Sequence, residues 1–317
     1  MASLVKKLQS GAADATSPLA RSAFGAKVDG RKHCRYPLFR PSGVPVLRAN
    51  AMQVAQIMAT DVATLSPDDT LDRALELFEG GELGHLVVLW RGGLFGLLSE
   101  REVARATGWK TAQERRNLGI DSPLLVRELV RERAVTLTPE HPVEAAASMM
   151  VGKRVGAIPI LQGSLFVGLV TTRDLLAAFR KRNPAAEWGV AEDSKVSDYM
   201  RATVTARPEQ PATEAASLCL QESQRFLPVT SQEKVVGIVS EHDLRRAFEG
   251  QEPEPVSGVM ATNLVTISPE EGLAKAADSM LKHDVGALPV VRENSFVGLL
   301  TEDDIIQHCT SRPRAQG

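Results

Sequence analysis

A single register, repeated four times, limits what this 317-residue chain can fold into. The pattern Thr-x-x-Pro occurs as Thr64 to Pro67, Thr136 to Pro139, Thr205 to Pro208 and Thr266 to Pro269. Twenty-nine residues past each proline stands a glycine: Gly96, Gly168, Gly237 and Gly298. Three residues later comes a hydroxyl side chain (Ser99, Thr171, Ser240, Thr301), and three beyond that a carboxylate (Glu102, Asp174, Asp243, Asp304). No insertion separates these marks in any copy. Self-similarity at such a period signals one supersecondary unit that must stack on its neighbours.

The residues between the marks say what the unit is. After each Thr-x-x-Pro, apolar side chains recur at i, i+3, i+4 and i+7, as in Leu71/Ala74/Leu75/Phe78 and Leu273/Ala276/Ala277/Met280, which is one face of an amphipathic helix. Pro269-Glu270-Glu271 suits the start of such a helix. Short β-rich runs follow (Leu86–Leu89, Ile158–Leu161, Leu227–Val229, Leu288–Val291), then a turn and a second apolar run ending at the hydroxyl. That order reads as a β-hairpin. A second helix opens at the carboxylate. The fold class is therefore α+β, a β-α-β-β-α unit with its first short strand at the Thr-x-x-Pro.

The spacing predicts repeats at 51–109, 124–181, 194–249 and 256–310, after a separate segment at 1–50. The marker glycines are 72, 69 and 61 residues apart, and polar linkers lie at 110–122, 182–194 and 249–255. One unit cannot cover its own apolar faces, so units should pair, one with two and three with four.

Charge separates the first fifty residues from the rest. They hold nine Lys/Arg against Asp14 and Asp29, whereas the whole chain has a net charge of −2. Such a basic, Ala/Ser/Arg-rich stretch has the composition of a disordered segment, with a transit peptide or an arm for an acidic partner as alternatives. The near-neutral total gives no reason to expect nucleic acid as a partner. No apolar run approaches the ~18 residues that span a bilayer. Three scattered cysteines argue against a disulfide framework, and the six histidines show no metal-ligand spacing, so no metal is expected and the cytoplasm is the simplest location. Outside the repeats too little chain remains for a catalytic domain of ~100 residues. The expected protein is not an enzyme.

The strings Gly168-Leu-Val-Thr-Thr-Arg-Asp174, Gly237-Ile-Val-Ser-Glu-His-Asp243 and Gly298-Leu-Leu-Thr-Glu-Asp-Asp304 resemble the CBS domain family, as do Gly156-Ala-Ile-Pro-Ile160 and Gly286-Ala-Leu-Pro-Val290. The resemblance covers about residues 51–310. It implies two tandem pairs, called Bateman modules, in a layout similar to the gamma subunit of AMP-activated protein kinase. It implies a cleft per repeat for AMP, ADP or ATP, with S-adenosylmethionine or NAD possible, and no required cofactor. It also implies a switch role on a regulated protein such as a kinase, enzyme or transporter, or self-association.

The residues support such a cleft on their own chemistry. A Gly-bearing strand running into a helix collects backbone N–H groups and a positive dipole end where phosphate binds readily. Thr171, Ser240 or Thr301 could donate to that phosphate, and Asp174, Asp243 or Asp304, one turn on, could accept from both hydroxyls of a ribose. The same Ser/Thr-x-x-Asp/Glu is also a helix capping box, which needs no ligand. The resemblance adds the backbone at Val135-Thr136, Val204-Thr205 and Val265-Thr266 as readers of the adenine edge, and Arg173 and His242, just before the aspartates, as phosphate contacts. Arg154 and Arg225 lie near them in sequence. Asp303 takes that place in repeat four, so Glu302-Asp303-Asp304 should repel phosphate. Repeats two and three are the expected binders. Repeat one, with Glu102 for Asp and Val87 for the usual Pro, is expected to be degenerate. A ligand-free assembly scaffold is the alternative.

Overall fold

The computed structural model describes residues 52–79, 84–107, 124–130, 134–181, 194–247 and 254–311. The basic segment 1–50 and almost all of the three polar linkers lie outside the described residues.

Each repeat has the predicted helix, hairpin and second helix, while the first strand at the Thr-x-x-Pro is a strand in repeat one and a single bridge in the other three. Repeat one contains β1 (Thr64–Leu65), α1 (Leu71–Glu79), β2 (His85–Trp90), β3 (Gly93–Ser99) and α2 (Glu100–Thr107). Repeat two opens with the short α3 (Val126–Leu129), followed by α4 (Val143–Lys153), β4 (Ala157–Gln162), β5 (Leu165–Thr171) and α5 (Thr172–Lys181). Repeat three has α6 (Ala212–Gln221), β6 (Phe226–Ser231), β7 (Lys234–Ser240) and α7 (Glu241–Arg246). Repeat four has the short α8 (Val256–Val259), then α9 (Leu273–His283), β8 (Ala287–Arg292), β9 (Ser295–Thr301) and α10 (Glu302–Ser311). Helix α9 starts at Leu273 with Gly272 as its N-cap, so Pro269-Glu270-Glu271 forms the turn before the helix rather than its first turn.

The small residues on the helix faces explain the packing. Ala146/Ala147, Ala215/Ala216 and Ala276/Ala277 are all buried, and their short side chains let each helix lie close on its hairpin. Every hairpin carries a register shift at the same place, next to the strand partner of the marker glycine: Val88↔Gly96, Ile160↔Gly168, Val229↔Gly237 and Val290↔Gly298.

Those glycines are needed for a close approach from elsewhere in the chain. A Cβ on Gly168 would stand 2.9 Å from both the Ala59 carbonyl and the Met58 sulfur. On Gly298 it would stand 2.9 Å from the Arg201 carbonyl, and on Gly237 it would run into the Met260 sulfur. The approaching segments are exchanged within each pair. Residues 52–59, which open repeat one, bond to repeat two through Val54 N–H→His141 O (2.8 Å) and the Ala59↔Leu169 bridge. In return, Leu125–Val130 closes repeat one through Val126 N–H→Asp69 O (2.8 Å). The second pair repeats the exchange with Arg201↔Leu299 and Ala261↔Ile238.

Repeats one and two share the five-stranded sheet β1-β2-β3-β5-β4, joined at Gly93↔Leu165. Repeats three and four meet edge to edge at Phe296 N–H→Glu233 O (2.9 Å). The pairs then join through helices. Helices α4 and α5 pack against α9 and α10, so repeats two and four share one core from Val143 to Cys309. Repeats one and three keep separate cores and touch through α2 and α7. The four repeats thus close into a ring within one chain: one, two, four, three.

Candidate functional site

In each repeat the hydroxyl ends a strand and the carboxylate lies in the first turn of the following helix. The carboxylate folds back onto that junction. Asp174 Oδ2 accepts from the Thr171 N–H (2.8 Å) and the Thr171 hydroxyl (2.7 Å). Asp243 accepts from Ser240 at 2.8 and 2.7 Å, and Asp304 from Thr301 at 2.9 and 2.6 Å. Glu102 does the same with Ser99 at 2.7 and 3.1 Å. Asp174 and Asp243 return their own N–H to the hydroxyl, completing a reciprocal cap. The expectation that Thr171, Ser240 and Thr301 donate to phosphate meets a competing partner in each turn. Their hydroxyl protons are committed to the carboxylate of the same turn.

The cap uses one carboxylate oxygen and leaves the other. Oδ1 of Asp174 and Oδ1 of Asp243 have no partner among the described residues, and both residues are partly buried. Asp304 differs. Its Oδ1 lies 2.8 Å from Nε of Arg201, and the residue is only 8% exposed. Burial pushes the Asp304 carboxyl up, while the Thr301 hydrogen bonds and the Arg201 charge pull it back.

Prolines set the second half of the cleft. In repeat one, the Val87 N–H bonds to the Ala63 carbonyl at 3.4 Å, and Thr64–Leu65 forms a true two-residue strand beside β2. The other repeats place Pro159, Pro228 or Pro289 where Val87 stands, and proline has no N–H. Their first strands shrink to the single bridges Leu137↔Ile160, Ala206↔Val229 and Ile267↔Val290. The backbone of Val135-Thr136 and of Val265-Thr266 then makes no hydrogen bond among the described residues, nor does that of Thr205. The Val204 carbonyl accepts only from the Thr203 hydroxyl, at 3.4 Å. Main-chain groups unbonded among the described residues, partly buried at Val135-Thr136, Thr205 and Val265 and exposed at Thr266, are an adaptable edge for a polar ligand.

Arg173 and His242 face away from such a ligand. Arg173 Nε lies 3.2 Å from Glu302 Oε1, and its guanidinium also pairs with Asp284, both in repeat four. His242 Nδ1 lies 2.8 Å from Glu100 Oε1 in repeat one. The positions just after the hydroxyl therefore stitch the ring, with Arg101 Nε 2.9 Å from Glu241 Oε1 and the Thr172 hydroxyl 3.4 Å from Asp303. A phosphate contact from Arg173 or His242 would have to compete with these inter-repeat pairs. The expected repulsion at Glu302-Asp303-Asp304 is likewise offset, since arginines face Glu302 and Asp304. Arg154 and Arg225 are exposed and make no ion pair within 4 Å among the described residues, although the Arg225 charge still draws on the Glu241 and Glu302 carboxyls. Arg154 takes the left-handed C-cap of α4 at φ 54°. Arg225 lies over the ring of Phe226 and beside Gly84 of repeat one. A shallow cavity of about 530 Å³ opens at Thr205, Arg207 and Gln232, with neither Ser240 nor Asp243 in its lining.

The CBS domain profile matches residues 54–108, 126–181, 196–250 and 256–311, most of the chain. The chain belongs to the CBS domain family. Protein MJ1225 of Methanocaldococcus jannaschii is 26% identical over 284 residues, covering 81% of this chain and 98% of that protein. Its crystal structure, described as that of a candidate archaeal homologue of gamma-AMPK, superposes with a TM-score of 0.71 over 81% of this chain and 99% of the other, at 23% identity. A conserved protein from Pyrococcus horikoshii shares the fold with a TM-score of 0.57, 20% identity and coverage of 81% and 100%. The CBS domain-containing protein YhcV of Bacillus subtilis is 36% identical over 116 residues, 35% of this chain and 83% of its own length.

The CBS repeats carry one signal beyond those read from the sequence. Val54…Met58, Val126…Val130, Val196…Met200 and Val256…Met260 precede the Thr-x-x-Pro at nearly constant distance. Each valine is wholly buried. The pattern marks the exchanged segment, and Arg201 follows it directly.

Proposed function

We propose that this CBS protein is a non-catalytic regulator that binds adenosyl ligands, AMP, ADP or ATP foremost, beside Asp174 and Asp243. Ligand occupancy is passed to a partner protein. The observation that carries the reading is the Oδ1 of Asp174 and Asp243, without a partner among the described residues and partly buried at a strand-to-helix turn, in repeats whose prolines withdraw a backbone donor from the facing strand. An ionised carboxylate oxygen with free lone pairs accepts hydroxyl donors well, and such charge-assisted bonds contribute roughly 1.5–3 kcal/mol each. A ribose cis-diol offers two such donors. The main-chain groups at Val135-Thr136 and Thr205, unbonded among the described residues, can meet an adenine edge, and the exposed Arg225 guanidinium can meet an anionic tail. Each binding event would lie next to the residues that stitch the ring, which gives occupancy a route to the ring's shape.

Calorimetry with AMP, ATP, S-adenosylmethionine and NAD tests this on wild type, Asp174→Ala and Asp243→Ala. At least one ligand should bind the wild type, and each variant should lose a site. Unchanged binding in both variants would remove the site assignment. The alternative, a ligand-free scaffold, draws on the caps themselves, since every motif carboxylate already has a structural task. It predicts no thermal stabilisation by any of the four ligands.

A further inference from the structure

The four turns are built alike, yet one of them already holds a cation. Arg201 Nε lies 2.8 Å from Asp304 Oδ1, and its NH2 group lies 3.3 Å from the Thr301 hydroxyl. Oδ1 is the oxygen that has no partner among the described residues on Asp174 and Asp243. The reason is a single residue. Arg201 sits in the exchanged segment that runs past the marker glycine, held to Leu299 by two backbone bonds of 2.9 Å. Ala59 holds the same register against Leu169, and Ala261 the same register against Ile238. An alanine cannot reach the carboxylate. The arginine reaches it and covers it. Asp304 is 8% exposed and Thr301 7%, and both are buried, whereas Thr171, Asp174, Ser240 and Asp243 are only partly buried.

We infer that the residue following the Val-x-x-x-Met segment decides which repeat can take a ligand, and that Arg201 acts as the chain's own occupant of the repeat-four cleft. This deepens the reading of Asp174 and Asp243 as ribose acceptors and rests on it. A ribose diol entering repeat four must first displace a guanidinium that neutralises the carboxylate and fills the space beside it. The arginine side chain is itself 61% exposed, so it can swing into water, and the closure is reversible. Repeats two and three bind first. Repeat four responds only at much higher ligand concentration.

The test counts sites. Calorimetry with AMP and, separately, S-adenosylmethionine is run on the full chain as wild type, Arg201→Ala, Arg201→Ala/Asp304→Ala and Ala59→Arg. Alanine is the residue this chain already uses at 59 and 261, so Arg201→Ala is expected to fold, and circular dichroism checks that it does. Wild type should show two sites per chain. Arg201→Ala should show a third, at least tenfold tighter than any third event in wild type, and the double variant should lose it. Ala59→Arg should lose the repeat-two site while keeping the wild-type melting profile. Three equal sites in wild type, or two sites in both wild type and Arg201→Ala, would overturn the role of Arg201. No binding by any variant would overturn the ribose-acceptor reading beneath it.

Discussion

Arg101 in α2 places its Nε 2.9 Å from Oε1 of Glu241 in α7, across the contact between repeats one and three. Glu241 is 7% exposed, and burial pushes its carboxyl up against the pull of Arg101. The folded protein thus holds the Glu241 proton more tightly than the unfolded chain does. The associated stability is fully present below the unfolded value near 4.5 and declines as pH rises through the raised folded value. Arg101→Leu removes the counter-charge and lifts the Glu241 carboxyl further. The expected loss is about 3 kcal/mol at pH 7 and clearly less at pH 5, where the orphaned carboxyl can protonate. Urea denaturation at both pH values checks this. Arg101→Leu/Glu241→Leu should recover most of the loss, and an equal deficit at both pH values without recovery would show that the pair is not a significant support of the ring.

Val54 belongs to repeat one by sequence but is buried in the core of repeat two, beside Val143 and Ile158. Val126 makes the reverse crossing into the core of repeat one. Val54→Ala should cost about 2 kcal/mol through the cavity it leaves. The loss should fall in the wrong repeat for its sequence position. Hydrogen exchange should rise in α4 and β5 while β2 and β3 stay protected, and Val126→Ala should give the opposite pattern. Exchange that rises mainly in β2 and β3 for Val54→Ala would contradict the exchanged arrangement.

The unit itself was legible because its signals are local. Helix faces repeat every three to four residues and hairpins lie between turn residues, so Leu71/Ala74/Phe78 and Gly168 to Asp174 declare their elements without reference to partners. The exchange was hidden for the opposite reason. Met58 and Ala59 lie against Gly168, yet more than a hundred residues of chain separate them from it. The roles of Arg173 and His242 were likewise invisible, because their partners Glu302 and Glu100 are brought near only when the ring closes. The position of Asp174 and Asp243 at strand-to-helix turns follows from the local register alone. What sequence could not show was that Asp304, identical in motif, is covered by an arginine from another repeat.

Two kinds of glycine should respond in opposite ways to alanine. Gly168 and Gly298 lie under exchanged backbone, with a carbonyl 2.9 Å from the position a Cβ would take. A carbonyl held in a bridge cannot step aside, so Gly168→Ala and Gly298→Ala should each cost about 1–3 kcal/mol. Gly152 lies inside α4 with open space around it, and Gly152→Ala should add about 0.5–1 kcal/mol by restricting the unfolded chain. Thermal melts of the three variants check the signs. A destabilised Gly152→Ala or a neutral Gly168→Ala would contradict the packing described here.

His85 gives the ring its sharpest expected pH response. Burial, then the charges of Arg225 and Arg101, push its ring down to about 4. A Cβ on Gly156 would stand 3.1 Å from its Cε1, so the ring fills the space that glycine leaves in repeat two. The unfolded chain binds this proton near 6.5, well before the folded protein can. The contribution is therefore present above pH 6.5 and lost as pH falls from 6.5 toward 4, by about 3 kcal/mol over the whole window. Glu241 and Glu302 shift in the opposite sense, because burial raises both carboxyls. Their effect is common to wild type and His85→Gln and largely cancels in the difference. The stability gap between the two proteins, followed by urea denaturation from pH 7.5 to 4, should change steadily in favour of His85→Gln as acid is added. A gap that stays constant across that range would mean that His85 titrates normally and is not enclosed between the repeats.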